Sequence, residues 1–180
     1  GLADLGRFVA ERAGGSFTAL IEAADSSAAA LADRLVELAQ YRDCAEHDGR
    51  EVWLAKRAQI TAADLHDAFG GAGLGRFHDL ARLTMFADNL VPHVLALDGV
   101  LAVDPELRAA ITREELLPAG GRAEVELRAA AVHAVERLTI EPALRAGNTT
   151  AMQLDQLLWR RGGGARYKAT PRHRTRCTFY

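Results

Sequence analysis

The feature that most restricts what this chain can fold into is an apolar stripe that runs from Gly120 to Leu138. Apolar residues recur there at spacings of three and four, as on one face of an α-helix, at Val125, Ala129, Val132, Val135 and Leu138. Similar spacing recurs in shorter pieces between glycine and proline residues along the rest of the chain. The pattern therefore predicts an all-α fold.

Capping and breaking residues divide the remaining chain into further predicted elements. The predicted helices cover Leu2 to Ala13, Phe17 to Ala24, a helix opened by Asp25-Ser26-Ser27 whose pattern continues to Tyr41, Lys56 to Phe69, a helix opened by Asp104-Pro105, and Thr150 to Trp159. The other predicted elements are an Asp48-Gly49 turn, an extended segment from Glu51 to Leu54, a glycine-rich connector from Gly70 to Gly75, a turn capped by Asp79, and an extended tail from Thr170 to Tyr180.

Length and composition indicate a single folded domain. The 180 residues are 49% hydrophobic, which is enough to bury a core as one helical domain. The first residue is Gly1 rather than methionine, which suggests a fragment or a processed chain. No apolar run approaches the roughly 20 residues that a membrane span needs, and no signal-peptide pattern opens the chain, which indicates a cytoplasmic protein. Cys44 and Cys177 lack CxxC spacing, so neither a zinc site nor a disulfide is expected.

Charge is unevenly distributed along the chain, although the formal net charge is only −2. After Asp155 there is no acidic residue, whereas seven basic residues follow: Arg160, Arg161, Arg166, Lys168, Arg172, Arg174 and Arg176. The part of the chain before Arg160 therefore contains 15 basic and 24 acidic residues. This asymmetry predicts an anionic partner for the C-terminal end.

The stretch from Leu83 to His93 contains one carboxylate, Asp88, among apolar neighbours and ahead of Pro92. Because Pro92 lacks an N–H and disfavours a helical Val91, the segment should begin a helix or turn rather than lie within one. Partial burial would raise the pKa of Asp88 and make it a stronger base than a surface aspartate. The alternative interpretation is that Asp88 only caps a helix.

Several separate blocks of the sequence resemble the queuosine salvage family, the queuosine 5′-phosphate N-glycosylases. In chain order the blocks are Lys56-Arg57-Ala58-Gln59-Ile60 with Ala63-Asp64, Gly73-Leu74-Gly75, Leu83 to Asp88, Val91-Pro92, Glu124-Val125-Glu126-Leu127-Arg128, Leu154-Asp155, Leu158-Trp159 and His173-Arg174-Thr175-Arg176. The resemblance runs from about Gly14 to Tyr180, and because members of the family have a substantial further segment before this point, it implies that residues 1–180 are the C-terminal part of a longer protein. It departs from the family pattern after Asp88, where Asn89-Leu90 replaces the usual Tyr-Arg.

The resemblance implies a fold, a reaction and a catalytic residue. The implied fold is similar to that of helix-hairpin-helix DNA glycosylases, and the implied reaction is hydrolysis of queuosine 5′-phosphate to queuine and ribose 5-phosphate. Asp88 corresponds to the family's catalytic aspartate, which would stabilise a cation-like sugar and activate water. No metal or organic cofactor, no membrane and no stable nucleic-acid partner is implied, and the substrate is a small-molecule nucleotide.

Seven further residues are candidates for substrate binding, and most have an ordinary structural alternative. Lys56 corresponds to the family's pocket lysine, and its alternative is a solvated helix cation. Asp155 suits the N–H edge of a deazaguanine base or a salt bridge to Arg160 or Arg161. Phe86 and Trp159 would stack on the base or belong to the core. His173 and Arg174, with Arg176, would hold a phosphate or pair with the acidic body. The complete set is Lys56, Phe86, Asn89, Asp155, Trp159, His173 and Arg174.

Two other functional classes stay open at this point. One is an HD-type metal-dependent phosphohydrolase, whose ligands would come from His66-Asp67, His78-Asp79, Asp88 and His93. The other is a non-catalytic RNA-binding or interaction protein that uses the basic tail, although aromatic residues make up only 6% of the chain.

Overall fold

The computed structural model describes residues 1–180, and its regular structure is mainly helical, as predicted. The helices are α1 (Leu2–Ala13), α2 (Phe17–Glu22), α3 (Ala28–Leu35), α4 (Lys56–Ala68), α5 (Leu90–Leu97), α6 (Pro105–Thr112), α7 (Arg122–Thr139), α8 (Pro142–Ala146), α9 (Ala151–Gly162) and α10 (Ala165–Lys168). Four short strands, β1 (Cys44–His47), β2 (Arg50–Trp53), β3 (Leu116–Leu117) and β4 (Arg174–Thr175), form two two-stranded sheets. None of the helices has the length and apolar content that crossing a membrane requires.

The internal packing divides the chain into two compact units, which are described separately. The N-terminal unit comprises Gly1–Asp43, Ala55–Leu83 and Phe179. The C-terminal unit comprises Cys44–Leu54, Thr84–Thr178 and Tyr180. The organisation as one domain, expected from the sequence, stays a prediction.

The N-terminal unit is built on the contact between α3 and α4. The residues buried on these two helices include small ones, Ala28 and Ala32 on α3 and Ala58 and Ala62 on α4, which permit a close approach of the helices. The start of α3 is capped twice. Ser27 Oγ accepts the N–H of Ala30 at 3.0 Å, and Asp79 Oδ1 accepts the N–H of Ala28 at 2.6 Å.

Asp79 was predicted to cap a turn, but its carboxylate has a different hydrogen-bond partner. Asp79 does precede a 3-10 turn at Leu80–Arg82, but its carboxylate does not cap that turn. Instead, Asp79 Oδ2 accepts a hydrogen bond from Ser27 Oγ at 2.7 Å, so the side chain holds the distant start of α3. Sequence spacing could not reveal this contact, because it joins residues 52 positions apart.

The C-terminal unit has its core where α5 packs against α9 and α7. The buried core residues include Met85, Ala87, Val91, Leu95, Ala131, Val135 and Leu154. Strands β1 and β2 pair antiparallel, and β1 contacts α7, where His47 Nε2 lies 3.0 Å from Glu126 Oε1. The segment that precedes α5, residues 83–88, has no regular secondary structure and leads directly into the start of that helix.

Most predicted helices are confirmed to within a few residues, but two segments differ. The helix predicted to continue to Tyr41 ends at Leu35, and Ala39–Tyr41 forms a separate 3-10 turn. The tail from Thr170 contains only one short strand, β4, which pairs in parallel with β3. Strand β1 was not predicted, because its residues acquire their extended conformation by pairing with β2.

Candidate active site around Asp88

Asp88 lies directly before α5 and holds the first turn of that helix through one carboxylate oxygen. Asp88 Oδ1 accepts the N–H of Leu90 at 2.7 Å and the N–H of Val91 at 3.1 Å. These donors have no carbonyl partner within the helix, because they belong to its first turn, and Pro92 has no N–H at all. The helix start predicted from Pro92 is confirmed, and Asp88 is a helix-capping residue.

The second oxygen of Asp88 is not used by the fold. Oδ2 accepts no hydrogen bond within residues 1–180, although Asp88 as a whole is only 7% exposed. A carboxylate with one fixed and one available oxygen has a defined orientation. Such a group can accept a proton or face a developing positive charge without first changing its rotamer.

A buried ion pair on α7 holds the peptide next to Asp88. Arg128 Nε donates to the carbonyl oxygen of Ala87 at 2.9 Å, and Arg128 Nη1 donates to Glu124 Oε1 at 2.9 Å. The two side chains are only 3% and 2% exposed, respectively. Because water is excluded there, the two charges depend on one another and on their hydrogen bonds.

Tyr180 completes this buried cluster. Its hydroxyl donates to Glu124 Oε1 at 2.9 Å, and the guanidinium carbon of Arg128 lies 4.8 Å from the centre of the Tyr180 ring. Burial, together with the negative charge of Glu124, raises the pKa of the Tyr180 hydroxyl. The hydroxyl therefore stays protonated near neutral pH and acts as a donor.

Asn89, the residue after Asp88, is connected to the same cluster through His173. Asn89 Nδ2 donates to the backbone oxygen of His173 at 3.1 Å, and the His173 ring meets Tyr180 edge-on with centroids 6.2 Å apart. Burial, assisted by the positive charge of Arg128, lowers the pKa of His173 to about 4. The imidazole is therefore neutral at pH 7, and its buried Nε2 has no hydrogen-bond partner.

A basic cleft of about 600 Å³ begins at Asn89 and Tyr180. Its charged lining residues are Lys168, Arg172, Arg174 and Arg176, together with one acidic residue, Glu114. Arg174 Nη1 lies 3.7 Å from Glu114 Oε1, so Glu114 offsets part of the charge of one arginine. The excess of positive charge suits an anionic group such as a phosphate.

Asp155, Phe86 and Trp159 also belong to the C-terminal unit, but their surroundings differ. Asp155 Oδ1 accepts the N–H of Phe86 at 3.2 Å, and both side chains are buried. Trp159 is 55% exposed on α9, so it does not form part of the hydrophobic core. Arg161, one alternative partner of Asp155, pairs instead with Asp98 at 2.8 Å.

Lys56 is the first residue of α4 and belongs to the N-terminal unit. Its backbone N–H donates to Asp43 Oδ2 at 3.2 Å. On the same helix, burial and the nearby charge of Asp67 raise the pKa of Asp64, and the positive charge of Lys56 opposes that change. The role of Lys56 as a pocket lysine stays a prediction.

Two of the three histidines considered as metal ligands, His66 and His93, take part in structural contacts. His66 Nδ1 lies 3.0 Å from the carbonyl oxygen of Gly75, and His93 Nε2 lies 2.9 Å from that of Tyr167. Within residues 1–180, no three or more His, Cys, Asp or Glu side chains are grouped as a metal site would need.

Sequence reasoning missed the Glu124–Arg128 pair and Tyr180 as neighbours of Asp88. The predicted apolar stripe of α7 is confirmed at Val125 and Val135, which are buried, and at Val132 and Leu138, which are partly buried against the core, but it did not include Glu124 and Arg128, which are also buried. One signal was present: Glu124 and Arg128 lie one turn apart and share a face with Ala131. No comparable signal marked Tyr180.

Comparison with known proteins identifies relatives across the whole chain. The sequence profile of the family described as "Queuosine salvage protein" matches residues 1–180. A protein named queuosine 5′-phosphate N-glycosylase/hydrolase from Sphaerobacter thermophilus is 43% identical over 180 residues, which cover 99% of this chain and 56% of that protein. Proteins of the same name from Dictyostelium discoideum and Bos taurus are 36% and 35% identical, and the chain again covers 56% of each. The chain thus spans just over half the length of these curated relatives.

Proposed function

Since the chain belongs to the queuosine salvage protein family, we propose that it hydrolyses the N-glycosidic bond of queuosine 5′-phosphate, with Asp88 as the catalytic carboxylate. The names of the relatives support the substrate and the bond that is cleaved. The observation that carries the proposal is the asymmetry of Asp88, whose Oδ1 is fixed by α5 while Oδ2 is unpaired.

The proposed reaction needs one carboxylate and one water molecule. The bond between the ribose C1′ and the base nitrogen breaks, its electron pair leaves with the base, and positive charge develops on the sugar. Asp88 Oδ2 stabilises that charge and accepts a proton from water as the water oxygen bonds to C1′. In the overall reaction, the hydroxyl group of the water thus goes to ribose 5-phosphate and its remaining proton goes to queuine.

The basic cleft is the proposed site of the 5′-phosphate. Lys168, Arg172 and Arg176 line it and form no ion pair within residues 1–180, so their charges are available to a phosphate. Arg174 contributes in competition with Glu114. His173, which is neutral at pH 7, would act as a hydrogen-bonding or packing group rather than as a cation.

The remaining contacts to the substrate are assigned by chemistry. Asp155 and Phe86 are proposed to meet the edge and the face of the deazaguanine ring, and Trp159 offers an exposed ring for stacking. Asn89 is proposed to contact the sugar or the phosphate, and a substrate-binding role of Lys56 stays a prediction. A topology like that of helix-hairpin-helix DNA glycosylases, a cytoplasmic location and the absence of a stable nucleic-acid partner also stay predictions.

The test is release of queuine from queuosine 5′-phosphate, followed by chromatography with EDTA present. Asp88→Asn keeps an oxygen that can cap α5 but removes the charge and the basicity, so we expect turnover to fall about 100-fold or more while the fold is retained. Asp104→Asn is the matched control. Asp104 Oδ1 accepts two backbone N–H groups at the start of α6 in the same way, at 2.9 and 3.1 Å.

Two results would contradict the proposal. Equal turnover by the parent and by Asp88→Asn would remove Asp88 from the chemistry. No release of queuine by the folded parent, in an assay where the Sphaerobacter thermophilus relative is active, would exclude this reaction for the chain.

A further inference from the structure

The guanidinium group of Arg128 joins three segments of the C-terminal unit beside Asp88. It donates to Ala87 in the segment before α5, pairs with Glu124 on its own helix, and lies over the ring of Tyr180. Both members of the ion pair are almost completely buried. Removing a buried charge from water is unfavourable, so the pair is a costly arrangement for a purely structural contact on α7.

The contact with Ala87 acts directly on the backbone of Asp88. The carbonyl of Ala87 and the nitrogen of Asp88 belong to one planar peptide unit, so a hydrogen bond to that oxygen restrains the start of Asp88. Residues 83–88 lack regular secondary structure and cannot rely on a helix or a sheet for their position. The hydrogen bond from Arg128 Nε at 2.9 Å therefore restrains the peptide next to Asp88 directly, in addition to the burial of Met85 and Ala87 in the core.

Asp88 is held from both of its sides by different elements. On the N-terminal side, α7 holds the Ala87 carbonyl through Arg128. On the C-terminal side, α5 holds Asp88 Oδ1 through the N–H groups of Leu90 and Val91. The two elements that hold Asp88, α7 and α5, also pack against each other.

We propose that Arg128, oriented by Glu124 and covered by Tyr180, is a positioning residue that aims the carboxylate of Asp88 at the reacting sugar. This inference rests on the proposed function of Asp88. Arg128 acts through the Ala87 peptide and need not touch the substrate. Arginine is required because its planar fork can donate to the Ala87 oxygen and to Glu124 at the same time, whereas one ammonium group cannot reproduce that geometry.

The test compares two ion pairs of the same kind on the same helix. Arg128→Lys keeps the charge opposite Glu124 but loses the fork. Arg122→Lys is the matched control, because Arg122 pairs with Glu126 four residues away at 2.8 Å, on the exposed side of α7. We expect kcat for queuine release to fall about 10- to 100-fold in Arg128→Lys, with KM changed less than about threefold, because misplacing a catalytic group mainly affects the reacting state. Arg122→Lys should retain the parent kcat.

A second pair of variants guards against loss of folding in Arg128→Lys. Glu124→Gln keeps an acceptor for the Tyr180 hydroxyl but weakens the orientation of Arg128, and Glu126→Gln is its exposed counterpart. A lower kcat at unchanged KM in Glu124→Gln, but not in Glu126→Gln, supports the inference. Parent values of kcat in both Arg128→Lys and Glu124→Gln, or equal losses in the exposed controls, would overturn it.

Amide hydrogen exchange measures the same restraint without any substrate. The N–H groups of Leu90 and Val91 are protected by Asp88 Oδ1, so displacement of Asp88 should accelerate their exchange about tenfold in Arg128→Lys and not in Arg122→Lys. Unchanged exchange at both amides would overturn the inference. Accelerated exchange in a chain that releases no queuine would support the positioning contact while contradicting the proposed function.

Discussion

At the scale of single residues, His173 shows how burial changes the chemistry of a side chain. Its ring packs against Tyr180, and the loss of water on burial and then the positive charge of Arg128 disfavour a second proton. Because its pKa falls from 6.5 to about 4 on folding, the unfolded chain binds the proton first as the pH decreases. His173 therefore favours the unfolded state increasingly below about pH 6.5.

This difference predicts a pH dependence of stability that one substitution should remove. Between about pH 6.5 and pH 4, His173 should lower the free energy of unfolding by up to about 3 kcal/mol, and above that range it should have no such effect. Urea unfolding of the parent and of His173→Gln at a series of pH values measures the contribution. His133→Gln, which removes an exposed histidine of α7, is the control, and an identical pH dependence in the parent and His173→Gln would contradict the prediction.

At the scale of elements, the contact between α9 and α5 depends on a residue without a side chain. A Cβ atom built on Gly162 would lie 2.8 Å from Cγ and Cδ1 of Leu90, the first residue of α5. An alanine at this position would therefore push Leu90, and with it the start of α5, away from α9. The same movement would disturb the N–H group that Leu90 donates to Asp88.

We expect Gly162→Ala to reduce the free energy of unfolding by about 1–3 kcal/mol, as overpacked core substitutions do. Gly6→Ala, within α1, is the control, because no atom lies within 4 Å of its added Cβ. That variant should be neutral or more stable by up to about 1 kcal/mol, since alanine favours a helix more than glycine does. Denaturant unfolding followed by circular dichroism compares the two, and equal stabilities would contradict the predicted clash.

The elements that could be predicted from the sequence are those determined by local chemistry. Ser16, Asp104 and Thr150 each accept backbone N–H groups at the helix starts that their side chains indicate. Strand β1 could not be predicted, because its mixed residues Cys44–His47 become extended only on pairing with β2. The same holds for β3 and β4, which form a sheet of two residues each from distant parts of the chain.

In the candidate site, too, only the features that depend on neighbouring residues in the sequence could be predicted. The position of Asp88 before a helix start followed from Pro92 a few residues later, a local relation. The surroundings of Asp88 did not, because Arg128 and Tyr180 come from a helix and a tail that are distant in sequence. A charged pair on the buried face of α7 also departs from the usual association of burial with apolar residues, so the apolar pattern, which is confirmed at Val125 and Val135, could not include Glu124 and Arg128.

At the scale of the whole chain, the basic residues that follow Asp155 include the four that line one cleft. Lys168, Arg172, Arg174 and Arg176 supply four positive charges there, against one negative charge from Glu114. An anion in the cleft would gain attraction from charges at several distances, and dissolved salt would screen the more distant ones. Binding of a phosphate should thus depend on ionic strength.

We expect KM for queuosine 5′-phosphate to increase several-fold between about 50 mM and about 500 mM NaCl, because the Debye length shortens to a few ångströms. KM for the nucleoside queuosine, which lacks the phosphate, should change little. Arg176→Gln should raise KM for the nucleotide at low salt, and Arg145→Gln, on the exposed surface of α8, should not. Equal salt dependence for the nucleotide and the nucleoside would contradict a phosphate site in the cleft.

Asp88 Oδ1 accepts two hydrogen bonds from the start of α5, so the fold and the proposed reaction allow different side chains at position 88. Asparagine, serine or threonine can also accept the N–H groups at a helix start, so each would preserve α5 at this position. None of them supplies a base or a negative charge. A descendant of this protein could therefore lose the proposed reaction in one substitution and keep its architecture. A neutral capping residue at position 88 would then mark a relative that has the same fold without the proposed activity.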